Sequence, residues 1–339
     1  MSKEDSKIMQ GVAFLLMLFL HLFNHQHNVD LCHTVLFIND TPLIWLLTRA
    51  AHPVPFFLIL SGYGLCYNYS HGKLSLNTLF FKVLKLYIYY WITLFLFVGL
   101  GSILQPEKYP GCFGQIVTNM LGWSSLYNGE TWFLLPYVLI CLTSRVINKV
   151  IDRLGIVLSV LLTCIGNLAT GYLISRYGEV LLFDNQFIYM PVLYIQFLFP
   201  FTLGCALYKY SNRYGLYVKK HFCMLFPCLL LLLLLVRVSY HTGAFDSEYA
   251  FLFILLFINI RRLKCFDNIL YAIGKKSMVM WLIHTWFCYY LFHDFIYSFK
   301  YPIVIYLVTL LCSYVSSYFI TWIAEKVYSQ VNFLFRRDI

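Results

Sequence analysis

The chain has 339 residues, of which 60% are hydrophobic, 19% aromatic and only 12% charged, and its mean hydropathy of +0.72 lies far outside the usual range of water-soluble domains. That composition excludes a soluble globular enzyme and points to an all-α integral membrane protein seated in a lipid bilayer. The formal net charge of +10 could suit a nucleic acid, but the lysines and arginines collect in alternate loops, which reports topology and implies no nucleic-acid partner.

Apolar runs long enough to cross a bilayer core of about 30 Å as helices recur from one end of the chain to the other. About ten transmembrane helices are expected, at about 8–24, 45–67, 78–100, 132–148, 155–175, 188–208, 222–240, 249–260, 269–292 and 303–324. The eighth is short, and 112–127 ("CFGQIVTNMLGWSSLY") reads as an interfacial or re-entrant piece. With both termini cytoplasmic, only Lys108, Arg176 and Lys300 fall in external loops, while Arg49 and Arg237 lie within spans. The first run is followed by "HLFNHQHNVDLCHT" with no small-residue cleavage site, so it reads as a retained helix. The 11 cysteines are scattered, mostly within spans, with no CxxC pair; they read as packing residues, with neither a disulfide framework nor a metal site. No low-complexity tract, long soluble loop or convincing internal repeat interrupts the chain, and residues 1–339 are read as one domain.

An ionisable group at bilayer depth costs about 2.5 to 3.5 kcal/mol on insertion scales, so each one should face protein or a water-filled cavity. In "QGVAFLLMLFLHLFN", Gln10 and His21 share a helix face, because eleven residues bring a helix back to within about 20° of its starting direction. Lys7, Met17 and Asn24 lie near the same stripe. In "GKKSMVMWLIH", Ser277, Trp281 and His284 fall on one face, and His284 stands about 13 Å beyond Lys275. The two histidines are therefore expected at similar depths, where they can meet. A lone histidine in a span also serves as a hydrogen-bonding contact between helices, so a structural and a functional reading both stand. His25, His27 and His33 share the first external loop without a defined metal-ligand geometry. His293, beside Asp294, reads as a solvated loop residue, and Arg237 reads as a snorkelling side chain.

At "PVPFFLILSGYGLCY" the aromatic pair followed by Ser-Gly resembles the FFxxSG-type signature of the acyltransferase family 3 membrane proteins. More follows in order. The first helix resembles that family's basic residue, apolar run and histidine, with Gln10 standing where the basic residue would be and Lys7 one turn earlier. "TLFFKVLKLYIYYW" resembles the basic start of the third span, with Lys82 and Lys85 in place of arginines. "NGETWFLLPYVLI" resembles the G-x-x-W-F-L segment, "FTLGCALYK" the sixth-span glycine motif, and "LYAIGKKSMVMWLIH" the G-x-x-S-(apolar)-H span.

The resemblance covers nearly the whole chain and implies a ten-helix acyltransferase of the cytoplasmic (inner) membrane. It implies transfer of an acyl group, commonly acetyl, from cytoplasmic acetyl-CoA to a hydroxyl of a cell-surface or lipid-linked glycan, with no permanently bound cofactor. An imidazole suits removal of the hydroxyl proton near neutral pH. His21 is then the expected general base or acyl carrier, and His284 a partner base or substrate-orienting group. Gln10, Lys82, Lys85, Ser61 and Tyr63 are expected on the donor side, with Lys73, Lys275 and Lys276 as further cations for the phosphates of coenzyme A. Arg49, His52 and Trp132 are expected on the acceptor side, and Trp281 offers a second flat face. The rival classes are a multi-span transporter and a flippase or polymerase of glycans, which share the composition.

Overall fold

A computed structural model describes residues 1–214, 225–240 and 242–337. Lys219, Lys220, Cys223 and the first three residues of the seventh expected span lie outside them. The described chain is helical nearly throughout. Its helices are α1 (Lys3–Phe23), α2 (Gln26–Asp30), α3 (Leu43–Leu47), α4 (Val54–Ser70), α5 (Leu76–Leu104), α6 (Phe113–Met120), α7 (Leu134–Leu154), α8 (Ile156–Tyr177), α9 (Gln186–Tyr214), α10 (Leu225–Ser239), α11 (Asp246–Asn259), α12 (Lys264–Cys288), α13 (His293–Tyr297) and α14 (Pro302–Arg337). A two-stranded hairpin pairs β1 (Phe37–Ile38) with β2 (Thr41–Pro42), and its turn residues Asn39 and Asp40 take the positive φ values of 47° and 62° that such a tight turn requires.

Seven helical segments among the described residues are long and apolar enough to cross a membrane: Lys3–Phe23, Leu43–Ser70, Leu76–Leu104, Gly129–Leu154, Ile156–Leu182, Gln186–Ser211 and Pro302–Leu334. The three other expected spans coincide with α10 and α11, of 15 and 14 residues, and with α12, of 25 residues but interrupted by Asp267, Lys275 and Lys276. Several boundaries differ from the expected ones. The second span is broken: α3 and a 3-10 turn (Thr48–Ala50) precede α4, because Pro53 cannot donate a backbone hydrogen bond and the residue before a proline avoids helical geometry. The fourth begins as a 3-10 turn, Gly129–Phe133, and the ninth ends at Cys288 instead of continuing to 292.

The described chain divides into two compact units. One comprises Met1–Leu16, Arg49–Leu76 and Pro136–Gly274. Within it, helices meet backbone to backbone at two crossings. A Cβ at Gly62 of α4 would overlap the Phe201 carbonyl of α9, and a Cβ at Gly204 of α9 would overlap the Ile59 carbonyl of α4. The second crossing repeats the device: Gly11 of α1 lies against the Leu270 carbonyl of α12, and Gly274 of α12 against the Lys7 carbonyl of α1. Such close approach suits helices whose association cannot draw on the hydrophobic effect in lipid and depends on packing. Apolar side chains fill the space around the crossings, among them Met9, Ala13, Phe56, Ile59, Phe253 and Ile254.

The other unit comprises Met17–Thr48, Asn77–Leu135 and Lys275–Ile339. Its organising feature is α6. Tyr87, Tyr90 and Trp91, near the middle of α5, donate to the carbonyls of Leu121, Asn119 and Met120, each at 2.8 Å. A helix end leaves its last carbonyls without intrahelical partners, and three aromatic donors supply them here. Asn119 in turn accepts from the Tyr127 backbone N–H at 3.1 Å, which sets the approach to the 3-10 turn Gly129–Phe133.

Candidate active site

His21 lies near the C-terminal end of α1 and His284 near that of α12, each ten residues after the glycine by which its helix crosses the other. In the second unit, His21 Nδ1 and His284 Nε2 stand 2.7 Å apart, with the rings stacked at a centroid distance of 4.9 Å and an angle of 20°. Both residues are buried. His284 Nδ1 faces two backbone carbonyls of its own helix, Trp281 at 2.8 Å and Met280 at 3.2 Å. On the other side, His21 Nε2 is 3.1 Å from Glu130 Oε2. A carboxylate, two imidazoles and a carbonyl thus stand in one continuous line, each within 3.1 Å of the next.

Glu130 is held by the turn that carries it. Asn128 caps that turn, its Oδ1 accepting from the Glu130 N–H at 3.2 Å and from Thr285 Oγ1 at 3.0 Å. The bond from Thr285 ties the loop to α12 one residue past His284. Gly129 N–H donates to the Tyr290 hydroxyl at 2.6 Å, and Thr131 Oγ1 donates to the Asn128 carbonyl at 2.7 Å. Next to His21, the Tyr289 ring lies 5.9 Å from the imidazole, and its hydroxyl donates to Asn24 Oδ1 at 2.9 Å. The arrangement can accept, hold and return a proton at an enclosed position, which is what acyl transfer to a hydroxyl needs.

The family model described as "Acyltransferase domain", that of the acyltransferase 3 family, matches residues 5–325. The chain belongs to the acyltransferase 3 family. Comparison with curated proteins and with solved structures gave no match. As a helical, strongly apolar member of this family with seven candidate spans, the protein is a multi-pass membrane acyltransferase.

The residues expected to serve this acyltransferase are distributed as follows. His21 and His284 touch. Gln10 Oε1 accepts from Lys7 Nζ at 2.8 Å, so a cation stands beside the position where the family pattern has a basic residue. Lys85 Nζ pairs with Glu325 at 2.8 Å and lies 5.1 Å from the Tyr328 ring centroid, while Lys82 is exposed. Ser61 Oγ and the Tyr137 hydroxyl share a hydrogen bond of 3.0 Å. Tyr63 accepts from the Met1 amino group at 3.1 Å and donates to the Met1 carbonyl at 3.0 Å. Trp132 is half-buried, two residues from Glu130, with its ring 6.2 Å from that of Phe133.

Arg49 and His52 belong to a separate cluster in the first unit. Arg49 Nη1 donates to the Val238 carbonyl at 3.2 Å, and His52 Nδ1 is 3.6 Å from Asp246 Oδ2. At the centre of that cluster is Arg237, which corrects an expectation: it does not snorkel. It is 5% exposed and ion-paired with Asp246, because α11 begins at that carboxylate and brings it to the guanidinium. His293 is also less free than its loop position implies, since Asn28 Oδ1 lies 3.1 Å from its Nε2 and Asp294 Oδ1 3.0 Å from its Nδ1. Among the described residues no group of three His, Cys, Asp or Glu side chains could hold a metal ion, the external-loop histidines included.

Glu130, which completes the line, is a side chain that the sequence reading does not single out. It stands inside "NGETWFLLPYVLI", where the glycine, tryptophan, phenylalanine and leucine carry the resemblance and the acid has no place in it. A usable signal existed, because a carboxylate at the head of an apolar run carries the same insertion cost that singled out the histidines.

Proposed function

We propose that this protein is an O-acyltransferase of the inner membrane that moves an acyl group, acetyl as the leading case, from cytoplasmic acetyl-CoA to a hydroxyl of a cell-surface or lipid-linked glycan. The reading takes all ten expected spans as crossing the bilayer, with both termini in the cytoplasm. The observation that supports it most is the buried contact between His21 and His284, backed by Glu130, in a chain of the acyltransferase 3 family. His21 acts as the general base and His284 as its partner.

On the donor side, Lys82 and Lys85 act on the phosphates of coenzyme A as compact charges, and Gln10 does so together with the Lys7 ammonium that it binds. Ser61 and Tyr63 complete that group as hydroxyl donors. On the acceptor side, Trp132 gives a sugar a flat face beside Glu130, with Arg49 and His52 as polar contacts.

Membranes carrying the protein, incubated with acetyl-labelled coenzyme A, should pass label into glycan, and His21→Ala should lower that rate by about 10²- to 10⁴-fold while the protein remains inserted and folded. Solute flux that ignores the acyl donor would instead favour a transporter. Normal glycan acylation by His21→Ala would remove the catalytic assignment.

A further inference from the structure

The hydrogen bonds of the central line fix where its protons are. A backbone carbonyl only accepts, so His284 Nδ1, facing Trp281 O at 2.8 Å and Met280 O at 3.2 Å, carries a hydrogen. In a neutral His284 the Nε2 atom is then bare, and the 2.7 Å contact requires a hydrogen on His21 Nδ1. A neutral His21 is bare in turn at Nε2, 3.1 Å from Glu130 Oε2. Two lone pairs at that separation repel, so one further proton lies between them. If that proton sits on His284 instead, the same count follows: His21 Nδ1 accepts, and His21 Nε2–H donates to the carboxylate. In each arrangement the three side chains share one proton beyond those that their fixed hydrogen bonds require.

The line has a closed end and an open end. At the closed end the Trp281 carbonyl takes no proton and His284 is fully buried. At the open end the Glu130 side chain is 28% exposed, against 9% for that of His21. Glu130 Oε2 is committed to His21, and its other oxygen, Oε1, accepts no hydrogen bond from the described residues. A hydroxyl approaching this line from its accessible end meets Glu130 Oε1 first.

We infer that Glu130 is a further catalytic residue: its outer oxygen receives the proton of the acceptor hydroxyl, and His21 and His284 hold the proton already in the line. The inference rests on the acyl-transfer reading above and deepens it, because His21 acts as a base through a carboxylate that itself touches the acceptor. As the hydroxyl oxygen attacks the thioester carbon, its O–H bond breaks and the proton passes to Glu130 Oε1. The new C–O bond forms, the C–S bond breaks, and the electron pair leaves on sulfur. The line then gives one proton to that sulfur, releasing the thiol and returning to the single shared proton with which it began. Acceptor and acyl-CoA become ester and free coenzyme A with no net proton released. His284 is a positioning residue, fixing the tautomer of His21 through the Trp281 carbonyl.

The test uses the full-length protein in membranes, with acetyl-labelled coenzyme A as donor and wild type as reference. Label transfer by wild type establishes the acyl-transfer reading separately, and its absence would defeat that reading before Glu130 is questioned. Glu130→Gln keeps the shape and removes the proton acceptor; the expected result is a kcat at least about 100-fold lower at unchanged KM for acetyl-CoA. Glu130→Ala should be equally slow and recover on addition of formate or acetate, with rescue rising with the basicity of the added carboxylate. A merely structural glutamate would show no such dependence. Activity of Glu130→Gln within a few-fold of wild type, or a folded Glu130→Ala that no carboxylate rescues, overturns the assignment. If Glu130→Ala fails to fold, the kinetics of Glu130→Gln decide alone.

Discussion

Arg237 and His21 are both ionisable side chains buried within apolar helices, yet their surroundings differ in kind. The guanidinium of Arg237 is fully provided for: Nε donates to the Arg49 carbonyl at 3.1 Å, Nη1 to the Thr242 carbonyl and Nη2 to Asp246, and the group lies 5.5 Å from the Tyr249 ring centroid. It cannot lose its proton, and every contact holds a piece of chain in place. The groups around His21 are each able to gain or lose a proton, and one end of their line is a carboxylate side chain that is 28% exposed. A charge that cannot move builds structure, whereas a proton that can move along a fixed line does chemistry. The two clusters should therefore fail differently when cut.

The largest effect separates them at once. His21→Ala should lower acyl transfer by about 10²- to 10⁴-fold while costing only about 1 to 3 kcal/mol of stability, for the contacts that His284 and Glu130 lose. Arg237→Ala should cost more stability, about 3 to 5 kcal/mol, because Asp246 loses its buried cation and two carbonyls lose their donor. Thermal unfolding in detergent reads both. Arg237→Lys should fall between, keeping the charge but not the planar fork that reaches three acceptors. Equal unfolding temperatures for wild type and Arg237→Ala would erase the distinction.

The histidine pair was legible in the sequence and the cluster around Arg237 was not, for a physical reason. His21 and His284 announce themselves because imidazoles are costly in lipid and helical periodicity gives their depth. Arg237 sits near a span end, where the same cost has two remedies, reaching water or meeting a carboxylate, and sequence spacing does not choose between them. Its partner Asp246 opens α11, after a connection whose path is set by tertiary packing. Glu130 escaped for a related reason: a 3-10 turn capped by Asn128 aims its side chain, and no helical period describes such a turn. The break before α4 was written in Pro53 and Pro55, but apolar content alone concealed it.

Glycines sharpen the comparison at a smaller scale. Gly62 and Gly64 both lie in α4, two residues apart, yet a Cβ at Gly62 would overlap the Phe201 carbonyl, while one at Gly64 would meet nothing within 4 Å. Gly62→Ala should destabilise by about 1 to 3 kcal/mol, since backbone must shift to make room. Gly64→Ala should be neutral or stabilising by up to about 1 kcal/mol, from helix propensity alone. Unfolding temperatures of the two variants measured side by side check this, and a Gly62→Ala protein as stable as wild type would mean that α4 and α9 do not depend on that close approach.

The smallest effect concerns charge that is exposed. Lys85 and Glu325 are paired at 2.8 Å, but their side chains are 38% and 48% exposed, so the contact belongs with surface ion pairs worth about 0 to 1 kcal/mol. Lys85 is therefore available to exchange one anion for another at little cost to the fold, in contrast to Arg237. Lys82→Ala combined with Lys85→Ala should leave unfolding nearly unchanged and raise the KM for acetyl-CoA several-fold, at most about tenfold, the equivalent of about 1.4 kcal/mol. The gap between variant and wild type should close as ionic strength rises, because the screening length falls from about 10 Å at 0.1 M salt to about 3 Å at 1 M. A KM that rises for the acceptor alone, or a gap that ignores salt, would take these lysines off the donor phosphates and return Lys85 to a purely local partnership with Glu325.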